Sequence, residues 1–398
     1  MWQRLDAWLD TLSPRVVAFL FALPFFYGCL HKLLHPGLGF SKLFAAVDFG
    51  AVACAGNTFL HHQPLYAGVT GCPFTHATVF VYTPLAAQFF GTLQNLFGPR
   101  GEKLLYAMAY VTSLYLVLRP LLRADAELVQ RAPFLVGISA TATLSGNLSV
   151  LLHATIFLVA RRFGQRPALL LVPIVLFSMI KPTFCVYLVL FLFLDRQIWQ
   201  RVAFAAVGAV LIGTYFVQFR LHDPEQFSAW ISIAKLAGLR FAEDHSFLDL
   251  SKLAGVTNLA WTGALYVLFV ALISACGMVV AETCIKPLEQ RLIFGIAVCL
   301  LLYPRLMDYD QFTLPLGLGI LSATLIRTGS FTSAQLRRIT YCIGLVCCLL
   351  GGHLGGRVLF VCCCLLLMRT AAAAWRTQRA LSKQVTIPAL VGSQYSEG

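Results

Sequence analysis

Apolar residues run along this chain in long, nearly uncharged stretches, separated by short polar connections from one end to the other. An α-helix needs about 20 apolar residues to cross a bilayer, and fewer where flanking side chains snorkel. On that ruler the pattern predicts spans at 15–33, 77–97, 103–122, 135–160, 168–180, 183–194, 202–219, 259–280, 289–304, 311–327, 338–352 and 355–371. The run 168–194 is long for one crossing and short for two. Lys181-Pro182 breaks it into two short crossings or a re-entrant pair.

The polar connections test this reading. With residues 1–14 inside as a cytoplasmic N-terminus, the inner loops are Gly98–Glu102, Arg161–Arg166, Asp195–Arg201, Glu282–Glu289, Arg327–Arg338 and the tail beyond Arg369. Each carries Lys or Arg, as cytoplasmic loops do. The outer connections are His35–His76, Arg123–Ala132, Lys181-Pro182, Arg220–Asn258, Tyr303–Gln311 and Gly351–Gly356. Two of these are long, a first outer loop over 36–76 and a second over 222–256. Phe40, Leu43 and Phe44 in the first, and Phe227, Trp230, Ile231 and Ala234 in the second, repeat at helical spacing. Both loops are therefore expected to carry helices lying in the interface. The first apolar run has no small-residue cleavage site and reads as a retained helix. The end of the chain, 380–398, is expected as a disordered cytoplasmic tail.

Composition agrees. The 398 residues are 59% hydrophobic and 12% charged, where a soluble domain carries about 25% charged. The mean hydropathy is +0.77. The fold class expected is an all-α polytopic membrane protein, one transmembrane domain over 1–398. The net charge of +13 sits in clusters between apolar runs, so it sets orientation and does not form a nucleic-acid groove. Most of the 13 cysteines lie in apolar runs and act there as small hydrophobes. Cys54 and Cys72 share the first outer loop and could pair in an oxidising compartment.

Polar residues at membrane depth are costly, and they mark candidate sites. Asp48 in the first outer loop, His245 in the second, and Asn147, Lys181, Arg305, Asp308 and Asp310 at or near the outer ends of spans all lie toward one side in this topology. Each also has a structural reading: a helix cap for Asp48, a snorkelling turn for Lys181, a packing notch at Gly146-Asn147, an ion pair between Arg305 and a nearby aspartate. His61-His62 is half a metal site without an evident third ligand.

Taken together these residues resemble a known family. The first outer loop reads Asp48-Phe49, then Pro64-Leu65-Tyr66, then Phe80-Val81-Tyr82-Thr83-Pro84. The middle reads Pro133, Ser145-Gly146-Asn147-Leu148 and Lys181-Pro182. A later stretch reads Tyr303-Pro304-Arg305-Leu306-Met307-Asp308-Tyr309-Asp310. In order and spacing this resembles bacterial GT-C fold glycosyltransferases of the polyprenyl-phosphate-mannose-dependent α-mannosyltransferase branch, over residues 15–325. His245-Ser246-Phe247 departs from the Asn-x-Ser element that many members carry there. The resemblance implies a GT-C bundle of about 12 helices in a bacterial plasma membrane, with its active site facing outward. It implies inverting transfer of a sugar, mannose in that branch, from a polyprenyl phosphate and not a nucleotide sugar to a glycan or glycolipid hydroxyl; no cofactor and no metal are expected beside that donor. Asp48 stands where that family has its catalytic base. Arg305, Lys181 and Asn147 would hold the donor phosphate, and Tyr66, Tyr82, His245, Asp308, Asp310 and Trp230 would line the sugar and acceptor sites. The alternative from a different class is a transporter or flippase of a lipid-linked sugar, which would show gates on both sides and often two similar halves.

Overall fold

The computed structural model describes residues 13–34, 47–66, 79–123, 128–138, 145–240, 245–256 and 258–385. Their secondary structure is helical, with no strand among the described residues. In chain order the α-helices are α1 (Pro14–Leu34), α2 (Val47–Leu60), α3 (Pro84–Leu121), α4 (Leu128–Arg131), α5 (Leu148–Phe163), α6 (Pro167–Ile180), α7 (Ile198–His222), α8 (Pro224–Arg240), α9 (Phe247–Leu253), α10 (Leu259–Cys284), α11 (Leu288–Leu301), α12 (Leu314–Arg327), α13 (Ser333–Leu350) and α14 (Gly352–Val385). Among the described residues, five stretches are long and apolar enough to cross a membrane: α3, α7, α10, α13 and residues His353–Arg379 of α14. Shorter apolar helices stand at Pro14–Tyr27, Pro167–Ile180 and Pro182–Phe193.

Burial divides the helices into a centre and a rim. On α11 and α12 most side chains are buried, from Leu292 to Leu301 and from Leu314 to Leu325. On α7 only Arg201, Gly208 and Ile212 are, while Val207, Val210, Leu211, Val217 and Leu221 are exposed. So large an apolar surface is untenable in water and natural against lipid.

Several boundaries differ from the sequence reading. Spans 77–97 and 103–122 are present as the two helical arms of α3, which part at Gly98, where φ is 68°, but the first arm starts only at Pro84. The two arms fold back on each other, since Phe90 and Tyr106 bring their rings to 5.9 Å. The expected span 135–160 is not one helix. Residues Ala132–Gly137 form a 3-10 turn, and α5 starts only at Leu148. Gly146 takes φ 66° just before the Asn147 cap, a conformation open to glycine and strained for most residues. At the other end, α14 continues to Val385, so the tail expected from 380 begins as helix. Arg379 covers the Trp375 ring one turn earlier, at 4.9 Å.

The break at Lys181-Pro182 is present, and its two limbs pack together. One limb is α6, the other a 3-10 helix over Pro182–Phe193. At about 1.5 Å per residue the 14-residue α-limb spans about 21 Å. At about 2.0 Å per residue the 12-residue 3-10 limb spans about 24 Å. The tighter winding lets a shorter segment match its partner in length, and Lys181 stands at the turn.

Of the first long loop, α2 is described. Phe40, Leu43, Phe44 and Cys72 lie outside the described residues. Cys54 is disulfide-bonded. Helix α2 presses against α3 at Gly56 and Gly91, where a Cβ on Gly56 would stand 2.7 Å from the Gly91 backbone nitrogen. Gln94 of α3 also donates to the Ala53 carbonyl at 2.6 Å. These contacts fix the axis of the helix that carries Asp48. In the second long loop, α8 follows α7 directly. Trp230 of α8 stacks on Phe216 of α7 at 5.4 Å, with Phe219 and Phe227 around it.

Candidate functional site

Asp48, Tyr82, Asn147, Lys181, Trp230 and Arg305 all line one cavity of about 570 Å³, at the end of the bundle where α8 and α9 lie. Six separate stretches of chain supply them. Lys252 of α9 and Tyr309 also face this space, so three cations and one carboxylate line it. The size suits a small-molecule site.

The Asp48 carboxylate is aimed by a cap. Asn147 ends the turn before α5, and its Oδ1 accepts from the Ser149 backbone N–H at 2.9 Å. That fixes the amide so that its Nδ2 donates to Asp48 Oδ2, at 3.0 Å. The turn itself is tied to α3 by the Tyr106 hydroxyl, which donates to the Gly146 carbonyl at 2.6 Å. The ring of Phe49 packs on Tyr106, 4.5 Å away. Asn147, expected on the donor phosphate, thus joins the helix start to the carboxylate while also lining the cavity.

Lys181 is aimed from beneath. Its ammonium donates to Ser149 Oγ at 2.6 Å and lies 3.7 Å from Asp310 Oδ1. Rings of Tyr309, Phe184 and Tyr303 surround it at 5.4 to 5.8 Å. Asp310 is fully buried. Its Oδ1 pairs with His153 Nε2 at 2.9 Å, and its Oδ2 accepts from the Met307 N–H at 3.1 Å. His153 Nδ1 meets the Tyr187 hydroxyl at 2.7 Å. Burial alone would raise the Asp310 carboxyl; the Lys181 charge and the His153 hydrogen bond outweigh it and hold the group below its ordinary range. Burial draws Lys181 down, against the pull of Asp310. The Tyr82 and Tyr309 phenols are pushed well up, by burial first and then by Asp48 and Asp310, so both remain neutral donors.

Four of the expected sugar- and acceptor-site residues stand elsewhere. Asp310 lies behind Lys181 in the buried network. His245, also fully buried, pairs with Asp308 through Nε2 at 2.7 Å, and its backbone N–H donates to the Leu306 carbonyl. Tyr66 donates to the Tyr82 carbonyl at 2.9 Å and stacks on Phe80. Trp230 does line the cavity, but Phe216 covers one face of its ring, and its Nε1 donates to the Val81 carbonyl at 3.2 Å.

Sequence reasoning missed Lys252, Tyr309, Ser149 and His153. For His153 a signal existed, because it is the one ionisable residue in the apolar run Leu148–Ala160. Lys252 gave none: a lysine in a polar loop reads as solvated.

As chemistry, the arrangement can hold an anion between Lys181, Lys252 and Arg305, beside the Asp48 carboxylate that Asn147 holds. Compared with protein-family models, curated proteins and solved structures, the chain matches none.

Proposed function

We propose that this protein is a membrane-embedded glycosyltransferase with a GT-C type bundle of about twelve helices. In this reading it transfers a sugar, mannose by the resemblance of its motifs, from a polyprenyl phosphate to a glycan or glycolipid hydroxyl outside a bacterial plasma membrane. One observation carries the reading: a carboxylate and three cations from distant parts of the chain share one cavity at one face of the bundle.

The chemistry follows from those groups. The acceptor oxygen attacks the anomeric carbon while the bond from that carbon to the phosphate oxygen breaks. Asp48 takes the hydroxyl proton, and Asn147 holds its carboxylate in place. The electron pair of the broken bond leaves on the polyprenyl phosphate. Arg305 offers paired donors for that phosphate, while Lys181 and Lys252 offer point charges. A single displacement inverts the anomeric carbon. Transport is the weaker reading, because among the described residues the hydrogen-bonded chain leading inward from the cavity, through Asp310 and His153, stops at the fully buried Tyr187, packed on Phe184.

The test is transfer by the purified protein from synthetic polyprenyl-phosphate-mannose to a panel of glycolipid acceptors, beside Asp48→Asn. Transfer that falls by about 10²–10⁴-fold in the folded variant is the expected result. Transfer unaffected by the substitution removes Asp48 from the mechanism. No transfer from any lipid-linked sugar rejects the enzyme and favours a flippase.

A further inference from the structure

A second cavity, of about 950 Å³, lies at the other end of the bundle. Its position follows from two long helices, each with one end in this cavity and the other joined to a helix that lines the first. Helix α7 begins at Ile198 in this second cavity and leads at its far end into α8, whose Trp230 lines the first. Helix α10 follows α9, whose Leu248 and Lys252 line the first cavity, and ends with Glu282 and Cys284 in the second. The two cavities therefore open at opposite membrane faces.

The second cavity has the makings of a lipid headgroup site. Lys286 and Arg327 bring two cations to it from different helix ends. Both side chains are exposed, and Arg327 donates to Thr324 on its own helix. The one carboxylate in the lining, Glu282, is bound by Arg201. Thr283 and Thr328 add hydroxyls. Trp375 supplies an indole of the kind that sits at headgroup level, steadied by Arg379 above its ring.

The walls continue as apolar stripes toward the bilayer centre. On α10, Leu268, Leu272, Ala275 and Val279 recur at helical spacing on one face, and the first three are exposed. On α14, Val361, Leu365, Met368, Ala372 and Trp375 do the same, Met368 being half-buried and the rest exposed. The two helices pack against each other. A soluble anion has no use for these stripes, whereas acyl chains do.

We infer that this cavity binds one anionic phospholipid of the leaflet opposite the first cavity, its phosphate between Lys286 and Arg327 and its acyl chains along the stripes of α10 and α14. This site stands whether or not the first cavity transfers sugar.

Native mass spectrometry of the full chain released from detergent micelles tests it, with phosphatidylglycerol, phosphatidylcholine and inorganic phosphate as probes. One equivalent of phosphatidylglycerol is expected to remain bound in preference to phosphatidylcholine. Each cation contributes about fivefold, so Lys286→Gln with Arg327→Gln lowers that preference about 25-fold. The matched pair Arg100→Gln with Lys103→Gln removes the same charge elsewhere and leaves it unchanged. All variants must elute as the wild type does. Equal retention by both lipids, or unchanged retention in the Lys286/Arg327 variant, overturns the proposal. So does inorganic phosphate that binds alone and displaces the lipid, since the site would then be one for a soluble anion.

Discussion

Two histidine–aspartate pairs hang from the same short segment between α11 and α12, and they do different work. Asp310 turns inward, where His153, Lys181 and the Met307 N–H surround it, and is itself fully buried. Asp308 turns outward and is 31% exposed. It holds His245, and with it the start of α9 and the first turns of α14, where a Cβ on Gly356 would stand 2.6 Å from the His245 ring. The inner pair anchors a cation of the cavity, while the outer pair anchors a cover over the bundle. Two aspartates two residues apart thus differ in consequence because one is desolvated within a hydrogen-bonded network and the other is partly open to solvent.

The largest effect that separates them is expected from Asp310→Ala. It leaves Lys181 without its counter-charge and His153 Nε2 without its hydrogen-bond partner, and breaking a buried pair costs about 3–5 kcal/mol. Thermal unfolding in detergent should show it; a melting temperature equal to wild type would mean the network does not hold the Lys181 turn. The pH dependence has a definite sign. The folded-state carboxyl lies below its unfolded value, so its stabilisation is complete above the ordinary carboxylate range, about pH 4, and is lost as pH falls through the depressed value. Wild type should therefore lose stability in acid more steeply than Asp310→Asn.

Asp308→Ala is expected to cost less, about 1–3 kcal/mol, the penalty of leaving one buried donor unsatisfied. Limited proteolysis should then cut first around residues 245–256. Cleavage no faster than in wild type would show that the pair does not secure α9.

Asn147→Ser sharpens the comparison from the other wall of the cavity. Serine caps a helix about as well as asparagine, so stability should change by less than about 1 kcal/mol. The amide that aims Asp48 is lost, so in the transfer assay kcat should fall with little change in KM. Unaltered kcat would leave Asn147 as a cap alone. The smallest effect is expected from Arg161→Ala. Its pair with Glu289 has side chains 44% and 50% exposed, and such surface pairs contribute about 0–1 kcal/mol.

Some of this was legible in the chain. Charge cost at membrane depth picked out Asp48, Lys181 and Arg305, and they share a cavity. The same rule applied to the apolar run of α5 would have found His153. It could not have found that Asp310 is its partner, because the two lie 157 residues apart in the chain. Nor could helical spacing tell Asp308 from Asp310. Both are aspartates in one turn, and only the packing of α5 and of the 245–256 segment assigns one to each side.

By itself the sequence determined that this is a helical membrane protein, that its chain breaks at Lys181-Pro182, and that its polar residues gather toward one end of the bundle. Those are matters of local composition: apolar length against bilayer thickness, and a proline that cannot continue a helix. The tertiary structure alone decided which polar groups face the cavity and which brace it from behind. It also set a 3-10 limb beside an α-limb and placed a second basic cavity at the far end. Those outcomes depend on which surfaces come within a few ångströms, and no periodicity along the chain encodes the partner that stands across the gap.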